Sequence, residues 1–193
     1  MAKSDTTRRD CSAYADLPSD YIRLIKILPG DEDSDIRCHI SLVSLKRQPD
    51  YIARSYAWGG KRIIYLDSHP LSPIRKNLWR VLHQARELAS QIIELQSDFW
   101  IDALCIDQSH LEDRKQQVRL MAKIYERARK VPIWLGPSYN QSEISMQELT
   151  RPISCWQAKG KVFSVWKKPA GAAISGLCGR PYWRRLWIFQ EIM

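Results

Sequence analysis

The run Phe99-Trp100-Ile101-Asp102-Ala103-Leu104 constrains the fold more than any other stretch of the chain. It is short, almost continuously apolar and bounded by polar residues, the pattern of a central strand buried on both faces of a sheet. Such a strand needs cover on each side, and the flanking segments have the periodicity to provide it. Upstream, Leu78, Val81, Leu82, Ala85, Leu88, Ala89 and Ile92 keep helical spacing, with Ser72-Pro73 as the expected N-cap and first helical residue. Downstream, Ser109-His110-Leu111-Glu112 has the form of a capping box and opens a helix with the apolar stripe Val118, Met121, Ala122, Tyr125 and Ala128. Val131 to Gly136 reads as a further buried strand, with Pro132 confined to its start or to an edge because proline has no N–H. Strand, helix, strand, helix, strand in this order predicts right-handed crossovers and a mostly parallel sheet flanked by helices, an α/β fold.

Ahead of this unit, Tyr21 to Leu28 alternates large apolar with basic residues, as a half-buried strand does, and Pro29-Gly30-Asp31 ends it with turn chemistry. A second strand over Ile36 to Leu45 completes an antiparallel N-terminal β-hairpin addition. Tyr51 to Gly60 is a strand that runs into two glycines, and Arg62 to Asp67 is another short strand. Residues 1–19 read as a flexible arm, and 20–193 as a single domain with a variable insertion at about 138–179 that includes a helix near Ser142 to Thr150. The last segment, Arg180 to Glu191, has Pro near a helix start and apolar residues at helical spacing. It stops two residues after Glu191, so either the chain is shorter than its parent or the final helix is short.

The formal net charge of +9 admits an anionic partner: nucleic acid, a membrane surface or a phosphorylated small molecule. The basic residues are spread along the chain and match no nucleic-acid-binding motif, so no nucleic acid is expected. Arg119, Lys123 and Arg127 read as a solvated helix face. No stretch approaches the roughly 20 apolar residues of a membrane span, and the N-terminus lacks the apolar run of a secretory signal. A cytoplasmic protein without a membrane span is the expectation. Five cysteines with no C-x-x-C pair, and four histidines without ligand spacing, indicate reduced thiols and no metal site.

Nucleotide-phosphate loops, a G-x-S-x-G elbow and H-E-x-x-H are all absent from the sequence. What remains is a set of polar residues at the carboxyl ends of the expected strands, where open α/β sheets hold their sites. These are Trp58-Gly59-Gly60, Asp102 with Asp107 and Gln108, and the loop after Leu135-Gly136. An acid within an apolar run needs a partner, which leaves Asp102 either capping a neighbouring loop or lining a site. Glu191, with Trp187, Arg184 and Arg185 close by, reads from the residues alone as a surface carboxylate on an amphipathic helix.

Several of these blocks together resemble the HET (heterokaryon incompatibility) domain of filamentous fungi. SYAWG is similar to that family's SYxWG block, FWIDALCIDQ to its WIDALCINQ block, and RPYWRRLWIFQE to its closing block, with IWLG between them. The chain departs mildly, with Asp107 where the family has asparagine, Arg54 where it prefers leucine, and Pro132 in the last strand. HET domains resemble TIR domains, and Trp187 to Ile192 resembles the TIR segment W-C-x-x-E-L, with Ile188 at the cysteine position. The resemblance implies a TIR-like (flavodoxin-like) fold and a cell-death or immunity module that hydrolyses NAD⁺ to nicotinamide and ADP-ribose on self-association, under an upstream sensor. It makes Glu191 the catalytic residue. Trp58 or Trp187 would stack on nicotinamide, Gly59 and Gly60 would admit the pyrophosphate, and Arg184 or Arg185 would add charge there or pair with Asp102 or Asp107. No prosthetic group is implied. A non-enzymatic module that signals by homotypic contacts is the alternative.

Overall fold

Buried residues on both parities of Tyr21–Ile27 (β1) make the start of the fold more deeply embedded than its alternation suggests: Ile22, Leu24 and Ile25 are buried, and so is Arg23. β1 pairs antiparallel with Arg37–Ser44 (β2), in a register running from Tyr21 opposite Ser44 to Ile27 opposite Cys38. The computed structural model describes Tyr14 and residues 17–31, 34–56, 62–67, 69–74, 76–91, 97–139, 141–151 and 169–185. The chain forms two compact units, Met1–Trp134 with Phe189–Met193, and Leu135–Ile188.

In the first unit, Tyr51–Ala53 (β3), Ser55–Tyr56 (β4), Arg62–Leu66 (β5) and His69–Ile74 (β6) precede the helix Lys76–Gln91 (α1). Asp98–Trp100 (β7), Asp102–Cys105 (α2), Leu111–Arg127 (α3) and Ile133–Trp134 (β8) follow it. The strands form a six-stranded sheet in the order β3-β7-β1-β2-β5-β6 and a two-stranded pair, β4-β8. The hairpin therefore lies at the centre of the large sheet instead of being an addition to it. The sheet is mixed, not mostly parallel: β3–β7 and β2–β5 are parallel, while β7–β1, β1–β2 and β5–β6 are antiparallel. Short connections at β1–β2 and β5–β6 dictate this, because a parallel pair needs a crossover of a dozen residues or more.

Three local expectations change for physical reasons. Ser72-Pro73 lie within β6, and α1 starts only at Lys76. β6 is a sheet-edge strand in this order, where a missing proline N–H costs no ladder bond. The side chains of Leu78, Val81, Leu82 and Ala85 are buried as the periodicity requires. Those of Leu88, Ala89 and Ile92 lie outside the described residues.

The apolar run around Asp102 is buried but is not one strand. β7 stops at Trp100, and the amides of Leu104 and Cys105 both donate to the Ile101 carbonyl, starting the single turn of α2. An aspartate at the first helical position favours that switch: its Oδ1 accepts the Ala103 amide at 2.7 Å.

α3 is capped by His110, whose Nδ1 accepts the Asp113 amide at 3.4 Å, while Ser109 binds Asp107 instead. Its buried face is Asp113, Gln117, Met121, Ile124 and Tyr125, so Val118 and Ala122 are left exposed. The helix is rotated toward the sheet by its polar members. Gln117 Nε2 donates to the Tyr21 carbonyl at 3.0 Å, and Tyr51 Oη donates to the Ile124 carbonyl at 2.6 Å. Trp100 meets Tyr125 edge to face, with ring centroids 5.5 Å apart.

The second unit contains Ser142–Leu149 (α4), Pro169–Cys178 (α5) and a 3₁₀ turn at Pro181–Arg184. Proline occupies the start of that turn as expected, but residues from Leu186 onward lie outside the described residues. Arg180 ties the unit's first loop, donating to the Leu135 carbonyl at 3.1 Å with its guanidinium 4.6 Å from the Tyr139 ring centroid. Gly136 has φ of 110°, a conformation that only glycine adopts without strain. Among the described residues, no helix is long and apolar enough to cross a membrane.

Candidate functional site

Where β3 and β7 run parallel, Ala53 lies opposite Trp100, and the chain leaves both strands at their carboxyl ends within a residue or two. Arg54 follows β3 directly, its amide donating to the Trp100 carbonyl at 2.9 Å. One residue on, the Ser55 amide reaches the Pro132 carbonyl at 3.4 Å, which carries the chain out of the large sheet into the β4–β8 pair. Asp102 follows β7 after one residue. An arginine and an aspartate are thus the first polar residues beyond this parallel pair, in the position where α/β sheets hold ligands.

The loop behind Asp102 is held by its own side chains. Gln108 Nε2 donates to the Asp102 carbonyl at 3.1 Å. Asp107 Oδ1 accepts from the Ser109 amide and hydroxyl at 2.9 and 2.6 Å, closing an Asx turn before α3. The Asp107 amide donates to Asp113 Oδ2 at 2.7 Å. Asp102, Asp107 and Gln108 are therefore brought together in one loop. Beneath it, Arg23 forms a buried ion pair with Asp113 at 2.9 Å and donates to the Cys105 carbonyl at 3.2 Å. Tyr14 lies against the same arginine, 5.2 Å from its guanidinium, and donates to the Leu104 carbonyl at 2.8 Å. Neither Arg23 nor Asp113 is legible in the sequence as part of this arrangement, because each sits in an amphipathic pattern that places it in solvent.

Arg54 stands apart electrostatically. The residue is 7% exposed, and its Nε has no hydrogen-bond partner among the described residues. Its guanidinium lies 5.6 Å from the Phe99 ring centroid. A desolvated cation–π contact of this kind contributes about 2 kcal/mol, while burying an ion without a counter-charge costs several. Burial accordingly pulls the Arg54 pKa below its ordinary value. Burial drives the Cys105 thiol in the opposite sense, up to about 12, so it is a neutral packing group and no nucleophile. Cys38 is pushed to about 12 by the same cause.

Arg184 and Arg185 belong to the second unit. Arg184 is exposed at the end of the 3₁₀ turn, and the Arg185 guanidinium lies 5.7 Å from the Tyr182 ring centroid. Trp58, Gly59, Gly60, Trp187 and Glu191 lie outside the described residues. Among the described residues, no group of three or more histidine, cysteine or acidic side chains is placed to hold a metal ion.

These features define an α/β domain with a mixed sheet and a polar, cation-bearing end to its parallel strands. The family model for heterokaryon incompatibility proteins (HET) matches residues 51–191, and the chain belongs to that family. It is 34% identical over 151 residues to "Heterokaryon incompatibility protein 6, OR allele" of Neurospora crassa, an alignment covering 72% of this chain and 22% of that protein. The aligned region is thus under a quarter of that relative's length. No solved structure matches the chain.

Proposed function

We propose that this chain is a cytoplasmic heterokaryon-incompatibility domain that brings about programmed cell death by hydrolysing NAD⁺ on self-association. In this reading residues 20–193 form one TIR-like domain, and a sensor segment or protein controls its assembly. The observation that carries the reading is the placement of Arg54 and Asp102 just beyond the carboxyl ends of parallel β3 and β7, inside the region that matches the family.

The chemistry needs few groups. The nicotinamide–ribose bond breaks through an oxocarbenium-like transition state; neutral nicotinamide leaves with the bonding electron pair, and water adds to the ribose carbon with loss of a proton. No acid has to protonate the leaving group, so one carboxylate suffices. Glu191 takes that role, holding the ribose hydroxyls and stabilising the developing positive charge. Trp58 stacks on the nicotinamide. Gly59 and Gly60 admit the pyrophosphate.

A non-enzymatic adaptor is the second reading. One observation favours it: Asp107 and Gln108 engage in hydrogen bonds that stabilise their own loop, as scaffold residues do. Expression in hyphae with NAD⁺ and viability followed together separates the two. The enzyme reading expects NAD⁺ to fall before viability and Glu191→Gln to prevent both. Death with NAD⁺ unchanged supports the adaptor.

A further inference from the structure

Four arginines are buried among the described residues: Arg23, Arg54, Arg86 and Arg180. Three have evident reasons to be there. Arg23 is paired with Asp113, Arg86 Nη1 donates to the carbonyl and hydroxyl of Ser34 at 3.1 and 3.0 Å, and Arg180 donates to the Leu135 carbonyl. Arg54 has neither an ion pair nor a side-chain hydrogen bond among the described residues, and only the Phe99 ring lies against its charge. The acids of α2, the following loop and the start of α3 are engaged elsewhere: Asp102 by the Ala103 amide, Asp107 by Ser109 and Asp113 by Arg23. A guanidinium cannot shed its proton to escape this cost.

We propose that Arg54 is a phosphate-binding residue, its guanidinium taking the pyrophosphate of a dinucleotide or a phosphoryl group of equivalent charge at the carboxyl end of β3. The position is the one where open α/β sheets receive nucleotide phosphates, and the planar donor fork of arginine matches phosphate oxygens. The anion supplies the counter-charge that no described residue provides, so binding and relief of the buried charge are one event. Identifying the ligand as a dinucleotide rests on the NAD⁺ reading above; the anion site itself does not.

The test compares the parent with Arg54→Leu and Arg54→Lys, using inorganic pyrophosphate and ADP-ribose as calorimetric probes and NAD⁺ for nicotinamide release. Arg54→Leu is expected to raise the melting temperature of the unliganded chain, since it removes a buried charge that has no counter-ion among the described residues, and to weaken both probes about tenfold or more. Arg54→Lys keeps the charge without the fork and retains part of the affinity. The proposal is overturned if Arg54→Leu binds pyrophosphate and ADP-ribose as tightly as the parent, or if the parent binds neither. Nicotinamide release with a KM that ignores Arg54→Leu leaves the NAD⁺ reading standing and removes Arg54 from it. Arg54-dependent pyrophosphate binding without nicotinamide release does the reverse.

Discussion

Arg23 Nη1 lies 3.0 and 2.9 Å from the two carboxylate oxygens of Asp113, joining the central strand β1 to the start of α3 with both side chains buried. Asp113 also accepts the Asp107 amide, so this one carboxylate fixes the sheet, the helix and the loop that carries Asp102 and Gln108. Removing one partner strands a buried charge, whereas replacing both with apolar groups of similar volume does not. Asp113→Ala is expected to lower unfolding free energy by about 3–5 kcal/mol, and Arg23→Met with Asp113→Leu to recover most of it. Urea unfolding of the single and double variants checks this. A double variant as unstable as the single would mean that the pair is needed for more than charge compensation.

Tyr51→Phe removes the hydroxyl that donates to the Ile124 carbonyl and keeps the ring. The expected cost is about 1 kcal/mol, the net value of a hydrogen bond. Denaturant midpoints read at constant m-value give the number, and a loss near zero would show that the bond contributes nothing to docking α3.

Alkaline pH should unfold the chain earlier than its net charge alone suggests. Burial raises Cys38 and Cys105 from the ordinary 9.0 to about 12, and Tyr51 from 10.0 to about 12. A raised pKa means that the unfolded chain loses its proton first. The stabilisation is whole below pH 9 and falls as pH rises toward 12, by about 1.4 kcal/mol per pH unit for each thiol once its unfolded form ionises. Unfolding free energies between pH 7 and pH 10.5 should show this fall, and Cys105→Ala should make it shallower. An equal slope in that variant would contradict the assignment.

Gly136→Ala places a side chain at φ of 110° and should destabilise the second unit by about 1 kcal/mol or more. Amide exchange at Leu135 to Tyr139, the loop that Arg180 holds, is the appropriate readout. Unchanged protection there would show that the loop relaxes without cost.

The burial of Phe99, Trp100, Ile101 and Leu104 and the antiparallel pairing of Tyr21–Ile27 with Arg37–Ser44 are readable from apolar runs and turn residues, because both follow from local pattern, whereas the central place of that hairpin in the sheet is not. The direction of the strands is not. Whether β2 meets β5 in parallel or β1 meets β7 antiparallel depends on pairings far apart in sequence, which periodicity does not encode. The rotation of α3 escaped the pattern for a related reason. Asp113 and Gln117 look like surface residues until Arg23 and the Tyr21 carbonyl are seen opposite them. At the site, Asp102 announces itself as an acid among apolar residues. Arg54 does not, because a lone arginine beside a serine carries no sign that no described residue pairs with it.

In the proposed reading this domain consumes NAD⁺ through Glu191. Purified chain at increasing concentration should be incubated with NAD⁺ and nicotinamide release followed by chromatography, with Glu191→Gln run in parallel. Release is expected to rise more steeply than protein concentration and to disappear in Glu191→Gln. Equal release from both proteins would discard Glu191, and no release from the parent at any concentration would contradict the enzymatic reading of this chain.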